Sequence, residues 1–264
     1  MIVFITGISS GFGLETARLL SQEGHTVYGT VRREVEPLPK VNYLEVDVRD
    51  KQAVTDAVRQ IIDKEGRIDV LVNNAGMGIS GPLEFATEEE IRLQMDTNFM
   101  GLVHCVDAVL PYMRQQKSGK IVALSSIGGL MGLPFQGFYS ASKFAIEGFC
   151  EALRLETKKF GIKVVVLRPG DFSTGFTGSR KKVANEAALQ AYPIYKTAIE
   201  KVEHDENGGL KPTVLAKKIS KIIHKRNPRH GYVVASFEQK LSVVLKRILP
   251  AKWFARILGS YYRV

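Results

Sequence analysis

The fold is decided by the stretch "IVFITGISSGFGLETARLLSQEG" (residues 2–24), in which a short apolar run meets a longer amphipathic one across a glycine-rich turn. The run at 2–6 is typical of a strand buried on both faces, and the apolar spacing after the turn is typical of a helix. Gly24 stands where that helix should end. A strand that leads directly into a helix is the first half of a parallel βαβ unit, so the stretch predicts a parallel sheet.

The same alternation continues to about residue 170, where five more strand-like runs are separated by helical ones. The strand-like runs are "TVYGTV" (26–31), "VNYLEVDV" (41–48), "IDVLVNNAG" (68–76), "GKIVALSS" (119–126) and "KVVVLRPG" (163–170). Further helices are predicted near 51–64, 88–115 and 138–160. No linker, repeat or low-complexity segment interrupts the pattern. We therefore predict one doubly wound α/β domain over residues 1–264, with helices on both faces of the sheet.

The composition is that of an ordinary globular protein. A chain of 264 residues with 45% hydrophobic content is long enough for one large core. No apolar run approaches the roughly 18 residues of a membrane-spanning helix, and "MIVFITG" lacks the basic leader of a secretory signal. We therefore expect a cytoplasmic protein. Cys105 and Cys150 lie within apolar helical patterns and are interpreted as small core residues.

The net charge of +10 arises near the C-terminus. Residues 211–264 carry thirteen Lys and Arg against one acid, Glu238, whereas the main body is nearly balanced. The charge is therefore a property of one segment, and it does not mark the whole protein as a nucleic-acid binder.

The turn "TGISSGFG" (6–13) has the composition of a phosphate-binding loop. Glycines at a strand-to-helix turn let the backbone approach a pyrophosphate, which the N–H groups at the helix N-terminus can bind. The spacing G-x-x-x-G-x-G differs from the commoner G-x-G-x-x-G, and a flexible turn without a ligand is the alternative. Its place in the first βα unit favours a dinucleotide site. The predicted contacts in this loop are Gly7, Ser9, Ser10, Gly11, Phe12 and Gly13.

The end of the second strand distinguishes NAD from NADP. An acid at this position accepts a hydrogen bond from the adenosine ribose and repels a 2′-phosphate. Here Val31 stands at that position, and Arg32 and Arg33 follow. Because a guanidinium group suits a phosphate, the sequence favours NADP(H) over NAD; the alternative is a solvated pair of surface arginines.

The run "YSASKFAIEGF" (139–149) contains a tyrosine and a lysine four positions apart, which places both on one helix face. Such a pair usually decorates a surface. Here Tyr139 follows Ser126 by 13 residues, and Asn98 lies in the helix before the strand that ends at Ser126. These elements can converge at the carboxyl ends of the strands, where open α/β sheets bind ligands. Tyr139, Lys143, Ser126 and Asn98 are therefore candidate site residues.

These motifs together resemble the short-chain dehydrogenases/reductases, a family of oxidoreductases with the Rossmann fold. The resemblance covers residues 1 to about 175. It is carried by "TGISSGFG", "DV" (47–48), "NNAG" (73–76), "TNF" (97–99), "SS" (125–126), "YSASK" (139–143) and "RPG" (168–170). The stretch "VYGTVRR" (27–33) resembles the branch that contains the 17β-hydroxysteroid dehydrogenases. The family resemblance implies a catalytic tetrad of Asn98, Ser126, Tyr139 and Lys143.

The resemblance also implies further cofactor contacts and no metal. Asp47 and Val48 would meet the adenine, and Asn74 and Gly76 the adenosine side. The remaining implied contacts are Tyr139, Lys143, Pro169, Phe172 and Thr174. Asp171 departs from the pattern, because members of the family often have an apolar residue at this position.

The chemistry assigns roles to the tetrad. Reduction of a ketone needs a hydride, which NADPH supplies, and a proton for the developing alkoxide. The Tyr139 phenol is the proton donor, and the Lys143 ammonium is expected to lower its pKa. Ser126 would hydrogen-bond the substrate oxygen. Asn98 resembles the family residue that holds a water in a proton relay behind the lysine.

The predicted substrate is a lipophilic alcohol or ketone, of a steroid-, retinoid- or long-chain type. The segment "GGLMGLPFQGF" (128–138) is apolar and contains no Lys or Arg that would bind an anion. Phe172, Phe176, Tyr192 and Tyr195 are available as further lining. A reductase of a small polar carbonyl is an alternative. So is an NADPH-binding sensor or scaffold without turnover, which would not need the complete tetrad.

The segment 237–264 is predicted to form a basic amphipathic helical extension within the domain, divided by Pro250. The apolar positions at helical spacing are Phe237, Leu241, Val244, Leu245, Ile248, Phe254, Ile257, Leu258 and Tyr261. The intervening basic residues are Lys240, Lys246, Arg247, Lys252 and Arg256. The helices would pack over the substrate site or a subunit interface, or attach to an anionic membrane surface. Nucleic-acid binding is disfavoured. The family resemblance implies a homodimer or tetramer.

Overall fold

The computed structural model describes residues 1–183 and 185–264, and its centre is a seven-stranded parallel sheet. The strands are β1 Ile2–Ile5, β2 Thr26–Val31, β3 Val41–Glu45, β4 Val70–Asn73, β5 Ile79–Ser80, β6 Gly119–Leu124, β7 Ile162–Pro169, β8 Lys181–Lys182 and β9 Gly231–Val234. The order across the main sheet is β3-β2-β1-β4-β6-β7-β9, and β5 pairs with β8 in a separate two-stranded sheet. The order reverses between β1 and β4, which is the switch point where doubly wound sheets bind ligands.

Helices cover both faces of the sheet. They are α1 Gly11–Gln22, α2 Lys51–Glu65, α3 Glu88–Met95, α4 Gly101–Gln115, α5 Gly137–Thr157, α6 Phe176–Ser179, α7 Glu186–Ala191, α8 Ile194–Asn207, α9 Pro212–His224, α10 Phe237–Ile248 and α11 Ala251–Tyr262. Side chains along β1 alternate between the two layers: Val3 and Ile5 pack with α1 and α9, whereas Phe4 packs with α2, α4 and α5. Burial on both faces explains why the strand runs are continuously apolar. The predicted doubly wound fold is confirmed.

Several elements differ from the sequence prediction, among them the short strands β5 and β8 and the helices α6 to α9, which were not predicted. The predicted helix 88–115 is two helices, α3 and α4, separated by a π-helical turn at Asp96–Met100 that carries Asn98. The sequence interpretation also missed β9, which pairs in parallel with β7 at the edge of the sheet. An edge strand of four residues, "GYVV", is too short for its period to stand out.

The carboxyl ends of β1 and β4 are joined by a strand-end network of Thr6, Gly7 and Asn74. The Thr6 hydroxyl accepts hydrogen bonds from the backbone N–H of Asn74 and Ala75, both at 2.9 Å. The Asn74 side-chain amide donates to the carbonyls of Thr6 and Gly7, both at 2.8 Å. Gly7 has φ +71°, a backbone conformation that favours glycine, and an added Cβ would lie 3.0 Å from Ala75 Cα. The glycine-rich turn is therefore bonded directly to the end of β4.

The C-terminal segment forms the two predicted helices, α10 and α11, with the break at Pro250. The Ser236 hydroxyl caps α10 by accepting a hydrogen bond from the Gln239 backbone N–H, and the Gln239 side chain accepts one from the Ser236 backbone N–H. Val243 and Phe254 are buried against Ile127 and Met131, next to the end of β6. Among the described residues, no helix is both long and apolar enough to cross a bilayer.

Replacing Gly13 by alanine is expected to reduce the free energy of unfolding by about 1–3 kcal/mol, because the new methyl group would overlap the Gly7 carbonyl and approach within 2.5 Å of Asn74 Nδ2. Urea unfolding followed by circular dichroism measures the change. Gly148→Ala on α5 is the matched control, because nothing lies within 4 Å of an added Cβ. Gly148→Ala should raise the free energy of unfolding by about 1 kcal/mol, because alanine favours the helical conformation more than glycine does. Equal free energies of unfolding for Gly13→Ala and the parent protein would contradict the close packing of Gly13 against Gly7 and Asn74.

Candidate active site

Two connected cavities open at the carboxyl ends of the strands. The loop cavity, about 1380 Å³ including space open to solvent, is lined by the glycine turn and the ends of β2 and β3. The tyrosine cavity, about 850 Å³ on the same measure, is lined by Ser126, Tyr139, Lys143 and apolar side chains. The residues that line both are Phe12, Asn74, Gly76, Thr174 and Phe176. An extended ligand can therefore pass from one cavity into the other.

The loop cavity fits the phosphates of a dinucleotide. Helix α1 begins at Gly11, and the side chain of its N-cap residue, Ser10, makes no capping hydrogen bond. The first N–H groups of α1 are therefore available to an anion. Gly7, Ser9 and Phe12 line the same cavity, as predicted. Gly13 is not among the residues that line this cavity, and it packs closely against Gly7 and Asn74. The cofactor contact at Gly13 stays a prediction.

The far end of the loop cavity has the residues expected around an adenosine. Val31 is buried at the end of β2, and the exposed Arg32 and Arg33 line the cavity. Asp47 also lines it, and a hydrogen bond from Arg49 holds the pKa of the Asp47 carboxyl below its usual value. Val48 is buried beside Asp47 and contacts the cavity. Within residues 1–183 and 185–264, Arg32 and Arg33 make no ion pair, so the lining offers both arginines to a phosphate, and the position at the end of β2 is held by Val31.

Helix α5 and the end of β6 position the three central side chains. Tyr139 lies in the first turn of α5 and Lys143 one turn later, with Lys143 Nζ 5.6 Å from the centre of the tyrosine ring. Ser126 follows β6 directly, and its hydroxyl accepts from Gly128 N–H at 3.0 Å. The structure thus places Ser126, Tyr139 and Lys143 in one cavity, as the sequence predicts.

Burial determines the electrostatic state of Tyr139. It raises the pKa of the phenol to about 12, the Ser126 hydroxyl lowers the pKa, and the carboxylates of Glu206 and Asp171 raise it. The influence of the Lys143 ammonium on this pKa stays a prediction; in the structure, desolvation of the phenolate outweighs the influences that lower the pKa. Tyr139 is protonated at neutral pH, as a proton donor must be.

Lys143 is buried, and its ammonium donates one hydrogen bond, to the Leu124 carbonyl at 3.0 Å. Burial lowers the pKa of Lys143 to about 8, whereas Glu147 raises it. An ammonium carries three N–H donors, so Lys143 has donors left for a ligand in the cavity. A Cβ on Gly76 would lie 3.6 Å from Lys143 Nζ, so the glycine keeps the space in front of the ammonium open.

Asn98, the fourth candidate site residue, lies on the π-helical turn between α3 and α4. Its side chain accepts from Met77 N–H at 2.8 Å, and donates to the Met77 carbonyl and to Ser142 Oγ, both at 3.0 Å. No hydrogen bond joins Asn98 to Lys143 among the described residues. The side chain thus holds the chain after β4 against α5. π-helical turns are frequent at functional sites, where they turn one side chain out of the helical register.

The rest of the tyrosine cavity is mostly apolar, with one polar side. Ile127, Leu133, Val202 and Tyr262 contribute to the lining, together with the predicted Pro169, Phe172 and Phe176. The predicted lining residues Tyr192 and Tyr195 do not reach it. The Tyr192 hydroxyl donates to Glu84 at 2.7 Å, and Tyr195 is buried against Phe135.

The polar side consists of Gln136, Asp171 and Glu206. Sequence reasoning noted Asp171 as an unusual acid and included Gln136 in the predicted lining segment 128–138, but it did not single out Glu206. It also missed Tyr262, although it expected the C-terminal helices over the substrate site. Glu206 lies on α8, outside the motifs of the family resemblance, and no local pattern marks it as a lining residue.

Glu23, His25 and His224 bring potential metal-ligand atoms within 4.8 Å of one another. They lie around the amino end of β2 and the ends of α1 and α9, at the opposite end of the sheet from both cavities. The Glu23 carboxylate already accepts from Ser220 Oγ at 2.9 Å. This group has no part in the site described above.

Comparison with known proteins extends these observations. A family model described as "short chain dehydrogenase" matches residues 1–185. A 3-ketodihydrosphingosine reductase of Bacteroides thetaiotaomicron is 48% identical over 264 residues, covering all of this chain and 98% of the relative. Human 17-beta-hydroxysteroid dehydrogenase type 1 is 38% identical over 211 residues, covering 72% of this chain and 64% of the relative.

Solved structures show the same architecture. A short-chain dehydrogenase from Streptomyces avermitilis superposes with a TM-score of 0.83 at 28% identity, covering 99% of this chain and 97% of the other. ElxO with NADP bound has a TM-score of 0.72 at 25% identity, covering 88% and 96%. A Burkholderia phymatum member of the family in complex with NAD has a TM-score of 0.80 at 25% identity, covering 92% of each chain. Both nicotinamide cofactors thus occur among similar structures.

The parallel sheet flanked by helices agrees with these comparisons, and the family model and the full-length relative both identify the same family. The chain belongs to the short-chain dehydrogenase/reductase family and is an oxidoreductase.

Proposed function

We propose that the protein is an NADPH-dependent reductase of a long-chain lipid ketone. One observation carries the proposal: Ser126, Tyr139 and Lys143 line one largely apolar cavity. Tyr262, at the end of α11, also lines that cavity. The similarity to a 3-ketodihydrosphingosine reductase over the full length supports a keto lipid with a long alkyl chain.

The cofactor residues fit this assignment. The glycine turn and the N-terminus of α1 would hold the pyrophosphate, Arg32 and Arg33 the adenosine 2′-phosphate, and Lys143 the nicotinamide ribose. Asp47, Val48, Asn74 and Gly76 would contact the adenosine side, and Pro169, Phe172 and Thr174 the nicotinamide side. Bound NADPH would supply the hydride that reduces the substrate carbonyl carbon.

Tyr139 would donate the proton. As negative charge develops on the substrate oxygen, the Tyr139 hydroxyl transfers its proton to that oxygen, and the carbonyl becomes an alcohol. The Ser126 hydroxyl stabilises the same oxygen by a hydrogen bond. Because burial raises the pKa of Tyr139 to about 12, the phenol is protonated near neutral pH and can act as the donor.

Lys143 would stabilise the phenolate that remains after proton transfer. Its ammonium lies one helical turn from Tyr139, and a positive charge there offsets the cost of an anion in a buried site. The Asn98 side chain is hydrogen-bonded to both Met77 and Ser142, so it joins the chain after β4 to α5. Asn98 would also position the water through which a proton returns to Tyr139.

The C-terminal helices would also attach the protein to an anionic lipid surface. They expose an apolar stripe in which Phe237 is 75%, Ile248 68% and Trp253 58% exposed. The complete stripe is Phe237, Leu241, Val244, Ile248, Trp253, Ile257 and Tyr261. Exposed basic residues flank it: Lys240, Lys246, Arg247, Lys252 and Arg256. An apolar stripe bordered by positive charge complements an anionic bilayer, and the same helix α11 lines the cavity that would receive a lipid.

Tyr139→Phe is expected to fold, to bind NADPH like the parent protein, and to lose turnover of a long-chain ketone by at least about 100-fold, because the proton donor is gone. Absorbance of NADPH measures turnover, and quenching of protein fluorescence measures cofactor binding. Near-normal turnover by the variant would refute the role of Tyr139. NADPH binding by the parent protein, with no turnover across aliphatic, steroid and small polar ketones, would instead favour the sensor or scaffold alternative.

Replacement of Arg32 and Arg33 together by alanine is expected to weaken NADPH binding by about 10-fold or more and to leave NADH binding nearly unchanged, because only NADPH carries the 2′-phosphate. Titration of each cofactor against both proteins measures the difference. Tighter binding of NADH than of NADPH by the parent protein would contradict the cofactor assignment.

Phe237→Glu combined with Ile248→Glu is expected to abolish sedimentation with vesicles that contain anionic lipid, because charge replaces two of the most exposed apolar side chains of the stripe. Leu155→Glu is the matched control, since Leu155 is equally exposed on α5, away from the tail. Absence of binding of the parent protein at low salt would exclude the membrane role. Dissociation of an oligomer by the double variant in gel filtration would assign the stripe to a subunit interface instead.

A further inference from the structure

The ends of α1 and α9 meet at the edge of the sheet that is opposite to the two cavities. Both helices pack on the same face of the sheet. Helix α1 ends just before Glu23, and α9 ends at His224. Gly24, with φ +82°, turns the chain from α1 into β2, so that Glu23 and His25 both lie beside the end of α9. The fold thus brings together one carboxylate and two imidazoles from three segments.

The side chains of Glu23, His25 and His224 are close enough to share one ion. Their potential ligand atoms lie within 4.8 Å of one another, and His25 Nε2 is 3.8 Å from Glu23 Oε2. The centres of the two imidazole rings are 5.2 Å apart. The ligands of a tetrahedral zinc ion lie about 3.4 Å apart, so the group needs to contract by roughly 1 Å. Glu23 and His224 are exposed, so their side chains can rotate to close that distance.

His25 has a buried ring nitrogen that lacks a partner. Its side chain is 11% exposed, and Nε2 makes no hydrogen bond within residues 1–183 and 185–264. The carboxylate of Glu23, at 3.8 Å, is too distant to accept a hydrogen bond from this nitrogen. A buried polar atom without a partner costs free energy, because it has left water and has gained no other bond. An ion between His25 and Glu23 would remove that cost.

Ser220 orients the other two side chains through hydrogen bonds. Its hydroxyl donates to the Glu23 carboxylate, with 2.9 Å to each oxygen, which leaves further lone pairs on the carboxylate. The Ser220 carbonyl lies 2.8 Å from His224 Nδ1. Because a carbonyl can only accept, Nδ1 carries the proton of the neutral ring, and Nε2 keeps the lone pair that can bind a metal. Hydrogen bonds of this kind are typical of histidines and carboxylates that ligate metals.

The electrostatic environment favours a cation at this position. The backbone carbonyls at a helix C-terminus carry partial negative charge, and the group stands on the C-terminal ends of both α1 and α9. The Glu23 carboxylate adds a full negative charge. Two imidazoles and one carboxylate suit Zn²⁺, whereas Ca²⁺ and Mg²⁺ bind mainly through oxygen ligands.

We propose that Glu23, His25 and His224 bind one zinc ion, which ties the end of α1 to the end of α9 and stabilises the fold. Because two of the ligands are exposed, water completes the coordination. The family resemblance implies no metal in the active site, and the zinc site lies at the opposite end of the sheet. The inference is therefore independent of the proposed reductase function.

Titration with Zn²⁺ tests the inference on full-length protein that carries no polyhistidine tag and has been freed of metal with EDTA. The proteins are the parent, His25→Ala, His224→Ala and His230→Ala. His230 is the matched control, because it is an exposed histidine beyond α9 that does not belong to the group. Calorimetry measures the affinity and the stoichiometry, and circular dichroism measures the melting temperature with and without Zn²⁺.

The parent protein and His230→Ala should each bind one Zn²⁺ per chain. The melting temperature of both should rise by about 5 °C when Zn²⁺ is about 100-fold above its dissociation constant. His224→Ala and His25→Ala should bind Zn²⁺ at least about 10-fold more weakly and lose most of that rise, because one of three ligands is gone. His224 is exposed, so His224→Ala should fold and decides the outcome even if His25→Ala does not fold.

Three results would overturn the inference. The first is the absence of stoichiometric Zn²⁺ binding by the parent protein. The second is equal affinity of His224→Ala and the parent for Zn²⁺, which would assign the binding to other surface groups. The third is binding of Ca²⁺ as tightly as Zn²⁺, because a site with two imidazoles prefers Zn²⁺. Binding is measured without NADPH or ketone, so none of these results affects the reductase assignment, and an inactive protein could still bind zinc.

Discussion

The hydrogen bonds among Thr6, Gly7 and Asn74 are the constraint on which the rest of the site depends. They join the ends of β1 and β4, the two strands between which the order of the sheet reverses. The Gly7 turn can be this tight because Gly7 and Gly13 have no side chains that would separate it from Asn74. With the strand ends held together, the loop cavity and the tyrosine cavity share lining residues, so the proposed dinucleotide would extend from one cavity into the other.

Desolvation governs the titration of three groups in the second cavity. Burial raises the pKa of Tyr139 and Asp171 and lowers that of Lys143, so in each case it favours the neutral form. Shifted pKa values of several groups in one cavity are typical of functional sites. In the proposed mechanism a ligand would complete two of these groups: a carbonyl oxygen would bind Tyr139 and ribose hydroxyls would bind Lys143.

The sequence predicted most of the fold because both the strand runs and the glycine turn are local patterns. It also predicted that Ser126, Tyr139 and Lys143 converge, since parallel strands end at one edge of the sheet. It placed Gln136 within the predicted lining segment 128–138, but it could not single out Glu206 or Tyr262, because their positions depend on how α8 and α11 pack, which no short-range period specifies. The rise in the pKa of Tyr139 could not be predicted for a related reason: proximity to Lys143 follows from helix geometry, whereas the degree of burial does not.

The C-terminal helices illustrate the same limit. Their helical period was evident, but the apolar positions at that period include Phe237, Val244 and Ile248, which are exposed, whereas Val243 is the residue that α10 buries. Periodicity identifies an amphipathic helix without saying which of two apolar edges meets the core. The exposure of the stripe is thus a structural finding, and the proposed attachment to a lipid surface depends on it.

The central claim, that the tyrosine cavity reduces a long-chain ketone at the expense of NADPH, is tested most directly by following a label. NADPH carrying deuterium at the transferred position is incubated with the protein and a long-chain ketone, and the alcohol is analysed by mass spectrometry. We predict one deuterium on the carbinol carbon for each NADPH oxidised. NADPH oxidation without labelled alcohol, or no oxidation with any long-chain ketone, would contradict the claim.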